Sequence, residues 1–229
     1  MAVEHNAFPR ALSLAVHELR TPVTVVAGYL RMLLKEHAGP LSEKQRKMLE
    51  EAERSCGRIG ALVAEMSDLG KLESKELGLA RQQFDLAALV AELASGMHEG
   101  GDRGVSLEVR GADQPLDILG DRTRLATALS ALLHAALRER GEPGVIVAKV
   151  SKARSGSPAA IVAIGDERMV GTLEDAAAMD SPFDEWRGGL GLALPVARRV
   201  VEAHGGALWS APGERPRAGS ALRIPLKAS

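Results

Sequence analysis

The sequence predicts an α+β chain in two parts. An N-terminal helical hairpin forms a dimeric four-helix bundle, and an α/β sandwich follows with helices on one face of a mixed sheet. Three observations carry this prediction. Apolar residues recur at three- and four-residue spacing from about Ala11 to Leu34 and again from Met48 to Leu72, with Gly39-Pro40 as a stop between them. From Phe84 onward the texture changes to short alternating strands mixed with capped helices. The chain has 229 residues, 45% of them hydrophobic and only 3% aromatic, so it is long enough for two small domains with aliphatic cores.

In the first helix Leu12, Val16, Leu19, Val23, Val26, Leu30 and Leu33 mark one buried face. His17 and Thr21 lie four apart and share a neighbouring face, while Glu18 rotates toward its other flank. Pro22 has no N–H to give the carbonyl of Glu18, so a bend is expected there, at a local cost of up to ~3 kcal/mol. A helix that accepts this cost one turn after an exposed His-Glu pair points to a functional site. The helix is expected to end near His37. Ser42 with Gln45 three residues on is a capping-box pattern for the second helix, which carries Met48, Leu49, Ala52, Cys56, Ile59, Leu62, Val63, Met66, Leu69 and Leu72. One hairpin cannot bury both stripes, so a homodimer through residues 8–74 is expected. Cys56 reads as a small core-facing residue.

Residues 1–74 are thus taken as the helical hairpin, 75–83 as a linker and 84–229 as the second domain. Asp85 caps a helix running to about Met97. Val105–Val109 and Leu116–Leu119 read as short strands, and Asp121 caps a helix from Arg122 to about Arg138. Val145–Val150 and Ala159–Ile164 are strands about a polar turn. Gly189–Ala203 reads as a helix closed by Gly205-Gly206, and Ala207–Ser210 and Ser220–Leu226 as final strands.

A net charge of −1 gives no general attraction to nucleic acid or anionic lipid. No run of eighteen apolar residues exists, so no direct membrane span is expected. Glu4, His5 and Asn6 do not suit a secretory signal, and the single cysteine suits a reducing compartment. A cytoplasmic location is the expectation.

His17-Glu18-Leu19-Arg20-Thr21-Pro22 resembles the H-box of sensor histidine kinases at every residue of the core motif. The resemblance implies that His17 is the phospho-acceptor, that Glu18 orients the ring and takes up its proton, and that Thr21 positions the water that hydrolyses a phosphorylated partner. It also implies a two-component phosphorelay with a response-regulator receiver domain as partner. The residue types suit this chemistry, since a neutral imidazole is a nucleophile near neutral pH and a carboxylate can fix its tautomer.

The second domain resembles the GHKL ATP-binding domain of the same kinases. Arg187-Gly188-Gly189-Leu190-Gly191-Leu192, followed by Val201-Glu202-Ala203-His204-Gly205-Gly206, is close to the family's G2 region. Gly189 and Gly191 would let the backbone approach phosphates. Asp166 would accept from the adenine amine, and Arg138 keeps the usual cation of the N-box. The family's two N-box asparagines, however, fall on Ala131 and Ala135, and two G1 glycines fall on Arg168 and Val170. Mg²⁺ demands hard oxygen ligands, and an alanine methyl offers none. The segment from Gly171 to Arg187 is short for an ATP lid, with Phe183 as its candidate latch. His134, between the lost asparagines, has no second ligand at metal spacing and reads as helix surface. No metal site is assigned.

These departures point to a pseudokinase-like protein that exchanges a phosphoryl group between His17 and a receiver aspartate, with phosphatase action through Thr21 and weak or lost ATP binding. An active kinase that autophosphorylates His17 from ATP and Mg²⁺, using Arg138, Arg168 or Arg187 as cations, is the alternative. A non-catalytic dimeric scaffold that binds response regulators is the third reading.

Overall fold

The computed structural model describes residues 7–74, 78–154, 156–174, 180–186, 188–211 and 219–227. The chain divides into two compact units, Met1–Leu77 and Gly78–Ser229.

The first unit is a hairpin of α1 (Ala7–Leu34) and α2 (Glu43–Glu73). α1 runs uninterrupted through Pro22 and ends three residues before His37, where Glu36 and Gly39 take left-handed φ values of 58° and 114°. The predicted capping box closes α2: Gln45 N–H donates to Ser42 Oγ at 3.3 Å, and Gln45 Oε1 accepts from Ser42 N–H at 2.9 Å. The glycines of α2 lie against α1 at distances where a Cβ would make ordinary contact. A Cβ at Gly70 would stand 3.4 Å from Leu12, and one at Gly60 3.9 Å from Val23. Among the described residues only Val16, Cys56, Val63 and Gly70 of this unit are buried. Leu14, Leu19, Val25, Val26, Tyr29, Met32, Met48, Ile59 and Leu62 remain exposed. An apolar groove of about 370 Å³ opens between the helices, lined by Pro22, Val23, Val26, Leu30, Ala52, Ser55, Cys56 and Ile59.

The second unit contains β1 (Gln82–Asp85), α3 (Leu86–Ser95), a 3-10 turn (Gly101–Arg103), β2 (Val105–Arg110), β3 (Asp117–Gly120), α4 (Arg122–Glu139), β4 (Gly144–Lys152), β5 (Ala159–Asp166), α5 (Glu167–Leu173), α6 (Ala193–Ala203), β6 (Ala207–Ser210) and β7 (Ser220–Pro225). Five strands form one sheet in the order β2-β4-β5-β7-β6, with β2 parallel to β4 and the other pairs antiparallel. The sheet is mixed, as the sequence predicts.

Three details depart from the sequence reading. First, the end of the expected linker is strand β1, which pairs antiparallel with β3 as a separate ribbon. Asp85 accounts for this join: its Oδ1 accepts from Ala87 N–H at 2.9 Å to cap α3 and from Leu116 N–H at 2.8 Å. Second, the helix expected from Gly189 starts only at Ala193. Gly188 and Gly191 take φ of 66° and 61°, a left-handed backbone that no right-handed helix contains. Third, α5 is a helix that the glycine-based reading of this stretch did not anticipate. Along β5, Val162 and Ile164 face one way and Ile161 and Ala163 the other. Ile161 and Ala163 cluster with Val147, Trp209 and Ala221 around Val170 and Leu173 of α5. α5 therefore covers the sheet face opposite to α3, α4 and α6, which the expected one-sided arrangement had left bare.

α4 and α6 are tied at one end. His204 Nε2 accepts from Asp121 N–H at 2.9 Å, and its Nδ1–H donates to Val200 O at 2.7 Å. Asp121 in turn caps α4 by accepting from Arg124 N–H at 3.1 Å.

Candidate functional site

The chemistry-bearing residues fall in two places, one in each unit. On α1, His17, Glu18 and Thr21 are all exposed, and Val16 directly before them is 4% exposed. Burial of Val16 fixes the rotation of α1 and turns the His17 imidazole outward. His17 and Thr21 stack one turn apart, whereas Glu18 is about a quarter-turn round the helix. Pro22 lies within α1 and leaves the Glu18 carbonyl without its backbone donor. Just beyond, Thr24 Oγ1 donates to Arg20 O at 2.8 Å. The turn that ends at Pro22 is therefore short of one backbone hydrogen bond.

In the second unit the structure brings Arg138 and the glycine loop together, while Oδ1 of Asp166 caps α5. Arg138 Nε donates to Gly188 O at 2.9 Å, and its Nη1 lies 3.5 Å from Glu99 Oε2. The same Glu99 oxygen is in contact with His134 Nδ1. His134 thus shares a carboxylate with Arg138 and is not a bare helix-surface residue: the loop after α3 folds back over α4 and supplies that carboxylate. A Cβ at Gly188 would stand 2.7 Å from Ala135 O, so the glycine loop lies directly on the helix backbone. At Gly189 a Cβ would meet Leu194 at 2.8 Å. Gly191 supplies the second left-handed turn before α6. Arg187 lies outside the described residues.

Asp166 ends β5 and caps α5. Its Oδ1 accepts from the N–H groups of Arg168 at 3.1 Å and Met169 at 3.0 Å. α5 is held from both ends. Arg110 forms a two-bonded pair with Glu167 at 2.5 and 2.9 Å and also binds Glu108 at 2.7 Å. Those hydrogen bonds hold the Glu167 and Glu108 carboxyls below their ordinary range. At the other end Trp209 Nε1 donates to Leu173 O at 3.0 Å. Burial raises the Glu174 carboxyl, but hydrogen bonds from Lys149 and Ser151, both at 2.6 Å, outweigh it and leave the group lowered.

Residues Asp184 and Glu185 are pinned as well. Asp184 N–H donates to Ser210 Oγ at 2.9 Å, and Glu185 pairs with Arg198 of α6. Phe183 lines a cavity of only about 30 Å³ with Leu132, Ala135, Ala136, Leu194 and Ser220. That is room for about one water molecule, against several hundred Å³ for a cofactor-sized ligand.

Sequence reasoning missed Glu99, since no local signal links it to residues 35 positions away. His134 and Arg138 at i and i+4 were a readable hint of a shared anion. An aspartate followed by Val170 and Leu173 three residues apart was an equally readable capped helix.

Comparison with known proteins agrees with this architecture. Residues 10–75 match the His Kinase A (phospho-acceptor) domain. The sensor histidine kinase GacS of Pseudomonas protegens is 29% identical over 224 residues, covering 91% of this chain and 24% of that protein. BarA of Escherichia coli K12, a signal transduction histidine-protein kinase, is 31% identical over 202 residues, 83% of this chain and 22% of its own length. The sensor-like histidine kinase SenX3 of Mycobacterium bovis is 30% identical over 207 residues, 86% of this chain and 49% of its own length. The chain therefore spans between about a fifth and a half of the length of these relatives. Full-length ShkA, solved in complex with AMPPNP, superposes with a TM-score of 0.71 at 21% identity, covering 96% of this chain and 46% of that one. The Acinetobacter baumannii histidine kinase AdeS superposes at 0.56 and 20% identity, covering 93% and 98%. Among the described residues no helix is long and apolar enough to cross a membrane. With residues 10–75 matching the His Kinase A domain and a second unit of the matching α/β fold, this chain is a histidine kinase core.

Proposed function

We propose that this core works as a phosphotransfer protein, exchanging a phosphoryl group between His17 and a receiver aspartate, with ATP binding weak or lost. The observation that supports the reading is an intact, outward-facing His-Glu-Leu-Arg-Thr-Pro turn in a chain whose Arg138 is already paired with Glu99 and whose cavity beneath Phe183 is small. Mg·ATP does not fit the residues present. Ala131 and Ala135 offer the metal no oxygen, and Asp166 spends its Oδ1 on the cap of α5. Arg138 is engaged by Gly188 and Glu99, and the cavity beneath Phe183 holds about 30 Å³.

Transfer needs little from the protein beyond position. The free nitrogen of a neutral His17 ring attacks the phosphorus of an aspartyl phosphate. The bond from phosphorus to the carboxylate oxygen breaks as the P–N bond forms, and Glu18 takes the proton from the other ring nitrogen. In the hydrolytic direction Thr21, one turn away, holds the water that attacks the partner. The exposed stripes of α1 and α2, with the groove between them, fit a homodimer in which a second copy completes a four-helix bundle.

A panel of phosphorylated receiver domains tests the reading. Wild type exchanges label with at least one receiver, and His17→Gln abolishes the exchange. Thr21→Ala spares labelling of His17 but slows partner dephosphorylation, and Glu18→Ala slows transfer by ~10²–10⁴-fold. Exchange that survives His17→Gln contradicts the proposal. Exchange with no receiver leaves the regulator-binding scaffold in its place. A second reading, an ATP-dependent autokinase, draws on the similarity to sensor histidine kinases over most of the chain and on the retained Asp166 and Arg138.

A further inference from the structure

Outside the H-box, the Glu99–His134–Arg138 cluster joins side chains of two elements and has no part in transfer. We propose that Glu99 is a built-in counter-anion: its carboxylate fills an anion site on α4 that accepts a polyphosphate once Glu99 is neutralised. The proposal rests on the reading that this chain has lost ATP binding, and it supplies a cause for that loss beyond the missing asparagines.

His134 and Arg138 stand one turn apart on α4, so their side chains share a face. A single oxygen of Glu99 meets both. The placement is built into the fold, because the loop that carries Glu99 is clamped to the same helix end. Arg103, four residues on, donates from Nη1 to Arg138 O and Arg140 O, both at 3.2 Å, and from Nη2 to Leu137 O at 3.1 Å. These carbonyls are acceptors that the end of α4 leaves unpaired within the helix. Gly100, φ 92°, makes the turn between the two. The side chains are partly withdrawn from water, at 29% exposure for Glu99 and 24% for Arg138.

Charge explains exclusion. Arg138 gives Nε to Gly188 O and turns Nη1 to Glu99, and His134 turns Nδ1 to the same carboxylate. An incoming phosphate meets a negative charge already seated beside the guanidinium, although a guanidinium carries five N–H donors in all. Through Arg138 the same contact also ties the glycine loop to α4, where Gly188 lies against Ala135 O. Glu99 therefore does for the chain, within the molecule, what a nucleotide's phosphate would do from outside.

The experiment is titration of the full-length chain with inorganic tripolyphosphate in the presence of EDTA, followed by calorimetry. Wild type shows no saturation at millimolar ligand. Glu99→Gln tightens binding by at least ~10-fold, the scale of one charge-assisted hydrogen bond regained. The gain disappears in Glu99→Gln/Arg138→Gln. Glu99→Asp, which withdraws the charge by one methylene, gives a smaller gain and serves as the test if the glutamine variant melts at the assay temperature. Equal affinity in wild type and in both Glu99 variants overturns the proposal, as does a gain that survives loss of Arg138. A parallel titration of wild type with Mg·ATP separates the two readings. Saturation there overturns the loss of ATP binding itself, whereas silence there together with silent Glu99 variants overturns only the role of Glu99.

Discussion

Val170 stands where the resemblance to the kinases puts a glycine, and its side chain is 4% exposed among Val147, Ile161, Ala163, Leu173 and Trp209. This residue has changed trade, from leaving space beside a nucleotide to filling a core. Restoring the glycine should therefore fail to restore a site. Val170→Gly removes a buried side chain, leaves a cavity and puts a glycine inside α5, which together cost about 3 kcal/mol. Urea denaturation of the two proteins measures the cost, and an unchanged midpoint would show that α5 is not part of the folded core. At this scale the sequence was partly legible. His17, Glu18 and Thr21 could be read together because the motif is contiguous, and the His Kinase A match spans it. Asp166 is harder to read, because a carboxylate at a strand end suits a ligand and a helix cap alike, and here its Oδ1 caps α5. Glu99 was hidden entirely, since its partners lie on another element.

Elements with strong periodicity or caps were the readable ones. α1, α2, α4, β4 and β5 announced themselves by spacing, and Ser42, Asp85 and Asp121 marked three helix starts that the structure keeps. The start of α6 was misplaced by four residues because left-handed glycines look the same in sequence as helix-capping ones. The junction of α4 and α6 makes a prediction about pH. Burial pushes the His204 imidazole below its ordinary value, against the backbone bond to Val200, which favours the proton. Arg81 and Arg124 also disfavour the charged form, while Asp121 favours it. A lowered folded pKa means the fold prefers neutral His204. The contribution is complete above the unfolded value of about 6.5 and is lost as pH falls below it. Protonation would also set a donor against the Asp121 N–H. Thermal melts from pH 8 to 5.5 should show wild type losing stability that His204→Gln, which keeps an acceptor and a donor but no titrating proton, does not lose. Parallel pH curves for the two proteins would remove His204 as the cause. Glu174, also lowered, belongs to a separate window, near and below its ordinary 4.5.

For the whole molecule, the first unit leaves too much apolar surface in water to stand alone, with Leu14 and Tyr29 at 63% and 64% exposure. A single chain in solution should therefore be rare. Light scattering at micromolar concentration should return twice the 24.2 kDa chain mass, and a fragment of residues 78–229 should return one copy of itself. A monomeric full-length chain would leave the two stripes unexplained. Fold class and H-box were legible at this scale because each rests on patterns that run along the chain. The contacts of Arg138 with Glu99 and Gly188 were not, because they are made between residues of different elements. Phosphoryl flow is the consequence that matters. Incubated side by side with a phosphorylated receiver and with Mg·ATP labelled at the γ-phosphate, the protein should gain label on His17 from the receiver and none from ATP. Label on His17 from ATP, with none from any receiver, would contradict the phosphotransfer reading and identify a working kinase.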